Sequence, residues 1–498
     1  MGAVPRTAVT LETLTHTIYN IYNDRYVLES VMRPLVEQLA AALGPEGVLQ
    51  GTAALEARDA AQTRGLRVQL GTPLAVLKPR STEDVARILA LAHAAGQPVV
   101  PWGGCTGLVD GSAADGALAL SLERMNAVEQ IDETNRVMHV QAGCILQNAC
   151  EAADARGLLL PLDLGARGSA TIGGVIATNA GGNRVLRWGM TRDMVLGLEA
   201  VLADGTVISS LNTLIKNNAG YDLKQLFIGS EGTLGVVTHA VLRLRPRPLS
   251  ENVALLAVDA FAHLPRLLAR LERELAGSLS SFEVMWESFY RLVTTAPALG
   301  RAVLAHGYPF YVLVETRGVS VQADAERFEH VLAGALEAGE VADAVIAKSD
   351  LERRAMWNLR DDVPQVTRDG PVAAFDVSLK IEDMPGYLEE VHQSLTARWG
   401  AACRFVVWGH LGDGNLHVMV GLQEDSAQMH EAIEALVYAP LGRRAGASIS
   451  GEHGIGLQKR RYLSLSRSPE EITLMRTLKQ ALDPRNILNP GKVLAETI

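Results

Sequence analysis

His410 and His417 stand on either side of a Gly-Asp-Gly-Asn run in WGHLGDGNLHVMV, residues 408–420. The flanks CRFVVWGH and LHVMV carry the β-branched and aromatic residues that strands favour, and Asp413-Gly414 is a hairpin turn signal. Closing that hairpin sets the two imidazoles beside each other across the strand pair, where opposed Cβ atoms lie about 4.5–5.5 Å apart. That spacing suits one metal ion. By themselves, however, two turn-flanking histidines read more simply as a packed structural pair.

A second kind of chemistry lies in glycine loops. PWGGCTGLVDGSA holds Gly103, Gly104, Gly107 and Gly111 directly after a strand signal. Glycines there let backbone N–H groups approach an anion. The pattern is neither GxGxxG nor GxxxxGK[ST], so no nicotinamide or P-loop nucleotide site is expected. Alone, the loop is a turn-rich connection. ATIGGVIATNAGGNRVLRWGMTRD adds Gly173, Gly174, Gly181, Gly182 and Gly189 with Thr171, Asn179 and Thr191, and IKNNAGYDLKQLFIGSEGTLG adds Gly220, Gly229, Gly232 and Gly235. Three such segments exceed what turns need and point to a long, polar, phosphate-bearing ligand gripped mainly by backbone.

The elements that must position these residues follow from pattern. TEDVARILALAHAAG predicts a helix over 82–96, opening on a Ser81/Thr82 cap and closing at Gly96. PVVPW, ALALSLERM and NRVMHVQAG read as strands, residues 146–157 as helix, and LGLEAVLADGTVIS as a hairpin turning at Asp204-Gly205. After LRLRPRPLS the strands ENVALLAVDA, YPFYVLVETRG and AAFDVSLKIED alternate with longer amphipathic helices, which suggests an antiparallel sheet covered by helices on one face.

At 498 residues the chain needs two or more cores, and its hydrophobic fraction of 48 % with 20 % charged residues is an ordinary globular mix. A formal charge of −10 argues against a nucleic-acid partner. The four cysteines, Cys105, Cys144, Cys150 and Cys403, form no CxxC pair and read as reduced thiols. No run is apolar over the roughly 18 residues of a membrane span. At the N-terminus Arg6 occupies the Ser/Thr place of a Gly2 myristoylation signal, and no secretory apolar region follows. These features favour a cytoplasmic location, with a transit peptide as the minor alternative.

PWGGCTG, SATIGGVIATNAGG, GYDLKQLFIGSEGTLG and the closing NPGK resemble the FAD-binding domain of the vanillyl-alcohol-oxidase, or PCMH-type, flavoproteins. GHLGDGNLH with SGEHGIG is similar to the D-2-hydroxyacid dehydrogenase branch, which includes D-lactate and D-2-hydroxyglutarate dehydrogenases and the glycolate oxidase flavin subunit. The resemblance spans nearly the whole chain beyond residue 25, with five motifs in the family's order. It implies an α+β chain: a PCMH-type FAD-binding domain over 25–247, a substrate-binding cap domain over 248–450, and a C-terminal helical segment, 451–498, that packs back on the first domain.

By the same resemblance, FAD is held by Pro101, Gly103, Gly104, Cys105, Thr106 and Gly107 in the first loop. Gly168, Ser169, Thr171, Gly173, Gly174, Asn179, Gly181 and Gly182 follow in the second, with Gly232, Val236 and Asn489 beyond it. Cys105 stands where relatives have glycine, or histidine where FAD is covalently bonded, so non-covalent FAD is expected. A divalent metal, Zn or Mn, falls to His410, His417 and Glu452, a donor set with an open position. His453 becomes the general base and Arg360, in MWNLRDDVP, the partner of the substrate carboxylate.

Relatives that oxidise D-2-hydroxyglutarate have polar residues where this chain has Pro364, Ala374 and Met419. An apolar set leaves a distal carboxylate unpaired, which costs several kcal/mol. The expected substrate is therefore D-lactate or an analogue with an apolar side chain, with D-2-hydroxyglutarate as the alternative. Lys380 could restore a charge beside Met419. Reduced flavin would pass electrons to an electron-transfer flavoprotein or a quinone. A flavin subunit of a glycolate-oxidase-like complex, a metallohydrolase with a phosphorylated substrate, and a homodimer stay open at this level.

Overall fold

The computed structural model describes residues 33–63, 69–275, 277–400, 403–421 and 424–495. The reading of Gly2 and Arg6, and the start of the 25–247 unit, lie outside the described residues.

Two sheets build the first half. In the smaller, Ala75–Leu77 and Val99–Trp102 flank Leu118–Ser121 in parallel, and Val48–Leu49 adds an antiparallel edge. In the larger, Val128–Asp132, Val137–Gln141, Val236–Arg243, Val195–Val201 and Val207–Ser210 are antiparallel neighbours in that order. The helix between the first two parallel strands, Thr82–Ala95, begins where Ser81 Oγ accepts from Asp84 N at 3.2 Å, and Gly96 ends it. Its Val85, Ile88, Leu89 and Ala92 fall on one helical face and join both sheets in one core.

A seven-stranded antiparallel sheet organises the second half. From edge to edge it runs Asp343–Ile346, Ser250–Val258, Phe310–Gly318, Leu279–Trp286, Phe405–Gly409, Asn415–Gly421, Val372–Ser378. The expectation of helices on one face needs correction. His263–Glu274, Val321–Glu337, Met384–Trp399 and Ala427–Tyr438 cover one face, while Glu287–Thr294 and Asp350–Asp361 pack on the other. The reason lies in Ser250–Val258: Ala254, Leu256 and Val258 enter one core, and Val253, Leu255 and Ala257 the other. A strand apolar at successive positions is buried on both faces.

The helix Pro469–Leu482 is followed by a return to the first half, where Val99 N donates to Ile487 O and Asn489 N to Val99 O, both at 2.8 Å. Across the seam Arg184 reaches Glu315 on strand Phe310–Gly318 with Nε and Nη2, both at 2.8 Å.

Candidate active site

The hairpin between Phe405–Gly409 and Asn415–Gly421 forms, with a longer turn than two residues. A 3-10 turn, Leu411–Asp413, follows His410, and Gly414 closes it in the left-handed region at φ 82°, where glycine is unstrained. His417 therefore opposes Trp408 on one side and Asp376 on the other, not His410. The two imidazoles still meet, with ring centroids 5.3 Å apart and planes at 80°.

Glu452 completes the group, its Oε1 3.5 Å from His410 Nε2. One ligand atom from each of His410, His417 and Glu452 lies within 4.8 Å of the others. His410 Nδ1 donates to Glu283 Oε1 at 2.8 Å, which directs Nε2 toward Glu452. This is how a carboxylate orients a metal-ligating imidazole. Burial opposes a charge on His410, but Glu283 and Glu452 outweigh it and push the ring up to about 9. Burial and the neighbouring His410 hold His417 well below the ordinary range, so its lone pair is available. Two imidazoles and a carboxylate so arranged fit a divalent ion.

Asp376, His417 and His453 are also close enough to be ligands. Asp376, however, is already saturated. Its Oδ2 accepts from Gly451 N at 3.0 Å, Glu452 N at 2.9 Å, His453 N at 3.0 Å and Ser450 Oγ at 3.2 Å, and its Oδ1 from Asn415 Nδ2 at 2.7 Å. Burial works against that carboxylate, yet His453 and Lys459 hold it well below the carboxylate range. His453 lies nearly parallel to His417, centroids 5.9 Å apart, with Nδ1 3.7 Å from Asp376 Oδ2. Glu452 and His453 thus face different neighbours, His410 for the first and Asp376 and His417 for the second.

Arg360 sits in the last turn of Asp350–Asp361, only 4 % exposed. Its Nε donates to Glu283 Oε2 at 2.8 Å, and Nη2 approaches His410 Nε2 at 3.3 Å. Glu283 therefore orients both Arg360 and His410. Met419 pairs with Ala374 two residues beyond the His417–Asp376 pair, on the same face of the sheet. Pro364 lies on the exposed 3-10 turn Val363–Thr367. The chain leaves the sheet after Ser378, and the Lys380 side chain is 61 % exposed, 3.9 Å from Glu382.

The glycine loops meet along the seam. A Cβ on Gly104 would lie 2.1 Å from Ser169 O, and one on Gly103 2.5 Å from Thr171 Oγ1. Gly173 is equally tight against Ala142, and Gly182 against Asp163 O. Pro101 lines Gly232, and a Cβ on Gly181 would lie 3.0 Å from Glu452 Oε1, so the second loop abuts Glu452. Thr171 Oγ1 caps the short helix Ile172–Ala177 by accepting from Gly174 N, and Asn179 Oδ1 accepts from Arg192 N. Cys105 has φ 54°, the left-handed region where glycine is the easier residue.

Gly107 and Gly168 face open space among the described residues. Buried Asn489 donates through Nδ2 to Gly111 O at 3.0 Å and Glu231 O at 2.7 Å, while its Oδ1 has no partner. Bare backbone and an orphaned acceptor fit an extended ligand such as FAD. Thr106 follows Cys105 in that loop, and Val236 begins the strand that pairs with Val201. A cavity of about 310 Å³ is lined by Asn179, Glu231, Gly451, Glu452 and Lys479 among others.

Sequence reasoning missed Glu283, Asp376 and Glu231. The first two carried a signal: each is a lone acid in an otherwise apolar strand, SSFEVMW and VAAFDVS. An acid there needs buried partners.

The FAD binding domain family matches residues 73–210, and the C-terminal domain of FAD linked oxidases matches 247–493. The mitochondrial D-2-hydroxyglutarate dehydrogenase of Bos taurus is 42 % identical over 86 % of this chain and 78 % of its own. A putative mitochondrial D-lactate dehydrogenase of Schizosaccharomyces pombe is 37 % identical over 84 % of this chain and 81 % of its own. In fold, p-cresol methylhydroxylase with substrate bound is similar at a TM-score of 0.75 and 15 % identity, over 94 % of this chain and 98 % of that one. The chain belongs to the FAD-linked D-2-hydroxyacid dehydrogenases, with the PCMH-type α+β fold and an oxidoreductase activity on CH–OH groups. That family removes the metallohydrolase alternative. No described helix is long and apolar enough to cross a membrane.

Proposed function

We propose that this enzyme oxidises a D-2-hydroxy acid with a short apolar side chain, D-lactate or a close analogue, to the 2-keto acid, with a divalent metal and non-covalent FAD. The Ala374–Met419 pair carries the substrate assignment. It lies one step along the face from His417 and Asp376 and offers no charge for a distal carboxylate. Lys380, at the surface, does not supply one. The name of the Bos taurus relative favours a second reading, D-2-hydroxyglutarate.

Arg360 binds the substrate carboxylate with its terminal nitrogens, because Glu283 occupies only the Nε edge. His410, His417 and Glu452 would hold the metal ion, whose positive charge would lower the pKa of the substrate hydroxyl. His453 takes the hydroxyl proton, its Nδ1 facing Asp376 and its other ring nitrogen left for substrate. FAD in the glycine cradle supplies the hydride acceptor. Cys105 offers no histidine for a covalent flavin bond, and an electron-transfer flavoprotein or quinone reoxidises the cofactor.

An anaerobic visible spectrum tests this reading. Flavin bands should bleach with D-lactate and not with L-lactate. Bleaching by D-2-hydroxyglutarate alone would replace the first substrate with the second, and a spectrum unmoved by either would sink the reading.

A further inference from the structure

Residues Gly451–Gly456 form no regular secondary structure, yet five of their six N–H groups, those of Gly451, Glu452, His453, Ile455 and Gly456, end on just two carboxylates. Asp376, from the second half, takes the first three. Glu231, from the first half, takes Ile455 N on Oε1 at 2.7 Å and Gly456 N on Oε2 at 2.8 Å. Close approach depends on the loop's glycines. A Cβ on Gly454 would lie 2.8 Å from Glu231 Oε1, and one on Gly456 2.0 Å from Val109 O.

The backbone of Glu231 belongs to the cofactor cradle. Its N donates to Ala177 O at 2.8 Å, its O accepts from Asn489 Nδ2 at 2.7 Å, and its neighbour Gly232 packs on Pro101. A single residue therefore touches the cradle through its backbone and the loop of Glu452 and His453 through its side chain.

We propose that Glu231 is a positioning residue: with Asp376 opposite, it suspends the Ser450–Gly456 loop across the seam and fixes Glu452 and His453 relative to the flavin cradle. The proposal rests on the roles given above to Glu452 and His453. Hydrogen bonds to a carboxylate are shorter and stronger than neutral ones. A glutamine at 231 keeps the shape but can accept on only one of its two ends.

Glu231→Gln and Glu231→Ala, made in the full-length FAD-loaded enzyme, test it by three readouts: flavin content, hydrogen exchange of peptides covering 450–457, and the rate of flavin reduction by D-2-hydroxy acid. Both variants should keep wild-type flavin content and exchange the Ile455 and Gly456 amides faster. The limiting reduction rate should fall about 10–100-fold, as for other supporting contacts of a reacting group, while KM changes less than about threefold. Wild-type rate in Glu231→Ala, unchanged exchange, or loss of FAD from both variants would each overturn the proposal, the last by making Glu231 a cofactor ligand. If His453→Asn reduces flavin normally, the functional reading fails by itself, and the exchange data still decide whether Glu231 holds the loop.

Discussion

Glu283 and Glu315 sit on adjacent strands of the large sheet, 2 % and 0 % exposed, and each is paired with an arginine. Their surroundings diverge from there. Glu315 accepts from Arg184, Arg317 and Ser280 on Oε1 and from Arg184 and Trp357 on Oε2, so both oxygens are closed by protein donors. Glu283 gives one oxygen to His410 and the other to Arg360, and both partners keep a second polar edge directed onward. The same burial of charge ends in a structural knot at the seam in one case, and in the other leaves two oriented side chains with polar atoms that Glu283 does not use. Which it becomes depends on whether the partners have polar capacity left over.

The largest effect should come at the end of the Glu283 side of that comparison. His453→Asn should lower the rate of flavin reduction by about 10²–10⁴-fold, the range for loss of a general base, with flavin content intact. Rapid mixing under anaerobic conditions measures it, and a rate within a few-fold of wild type would remove His453 from the reaction.

Next come the two glutamates themselves. Glu315→Gln removes the fully buried counter-charge of Arg184, which keeps Asp163, and should cost up to about 3–5 kcal/mol of stability, with little change in flavin reduction by the folded protein. Glu283→Gln should cut the rate about 10–100-fold, because it loosens His410 and Arg360 together. The comparison breaks if Glu315→Gln proves the slower enzyme.

Acid sharpens the contrast. Burial raises the Glu315 carboxyl, but Arg184 and Arg317 outweigh it and hold the group down to about 2, against an ordinary 4.5. Its contribution to stability is therefore present above about pH 4.5 and lost as pH falls toward 2. Thermal unfolding across that window should show a loss in the wild type that Glu315→Gln lacks.

The smallest effect concerns the substrate. Ala374→Lys with Met419→Asn should move the preference from D-lactate toward D-2-hydroxyglutarate by about tenfold or more in the ratio of kcat/KM, since a paired distal carboxylate no longer goes unsatisfied. An unchanged ratio would show that these positions do not face the substrate side chain.

Much of the site was legible because its parts are local. A hairpin turn brought His410 and His417 together, Glu452 and His453 are adjacent, and runs of glycine marked backbone that must approach something closely. The helix over 82–96 was legible for the same reason, from a cap, a periodic face and a terminal glycine. The exposure of Lys380 was not legible, since a residue two steps beyond a strand can turn out to solvent without any change of pattern. The two-sided burial of the large sheet was written in ENVALLAV, but only as an unbroken apolar run, which by itself does not say what covers each face.

Sequence alone sufficed for the cofactor class and the reaction family, because short motifs whose geometry is set within a few residues carry them. Tertiary structure alone decided that Glu283 orients His410 and Arg360 and that Asp376 and Glu231 hold the loop between them. Each of those contacts joins residues 75 to 225 positions apart. A buried carboxylate can be read from sequence as needing partners, but which N–H groups satisfy it is settled only when the two halves of the chain close on each other.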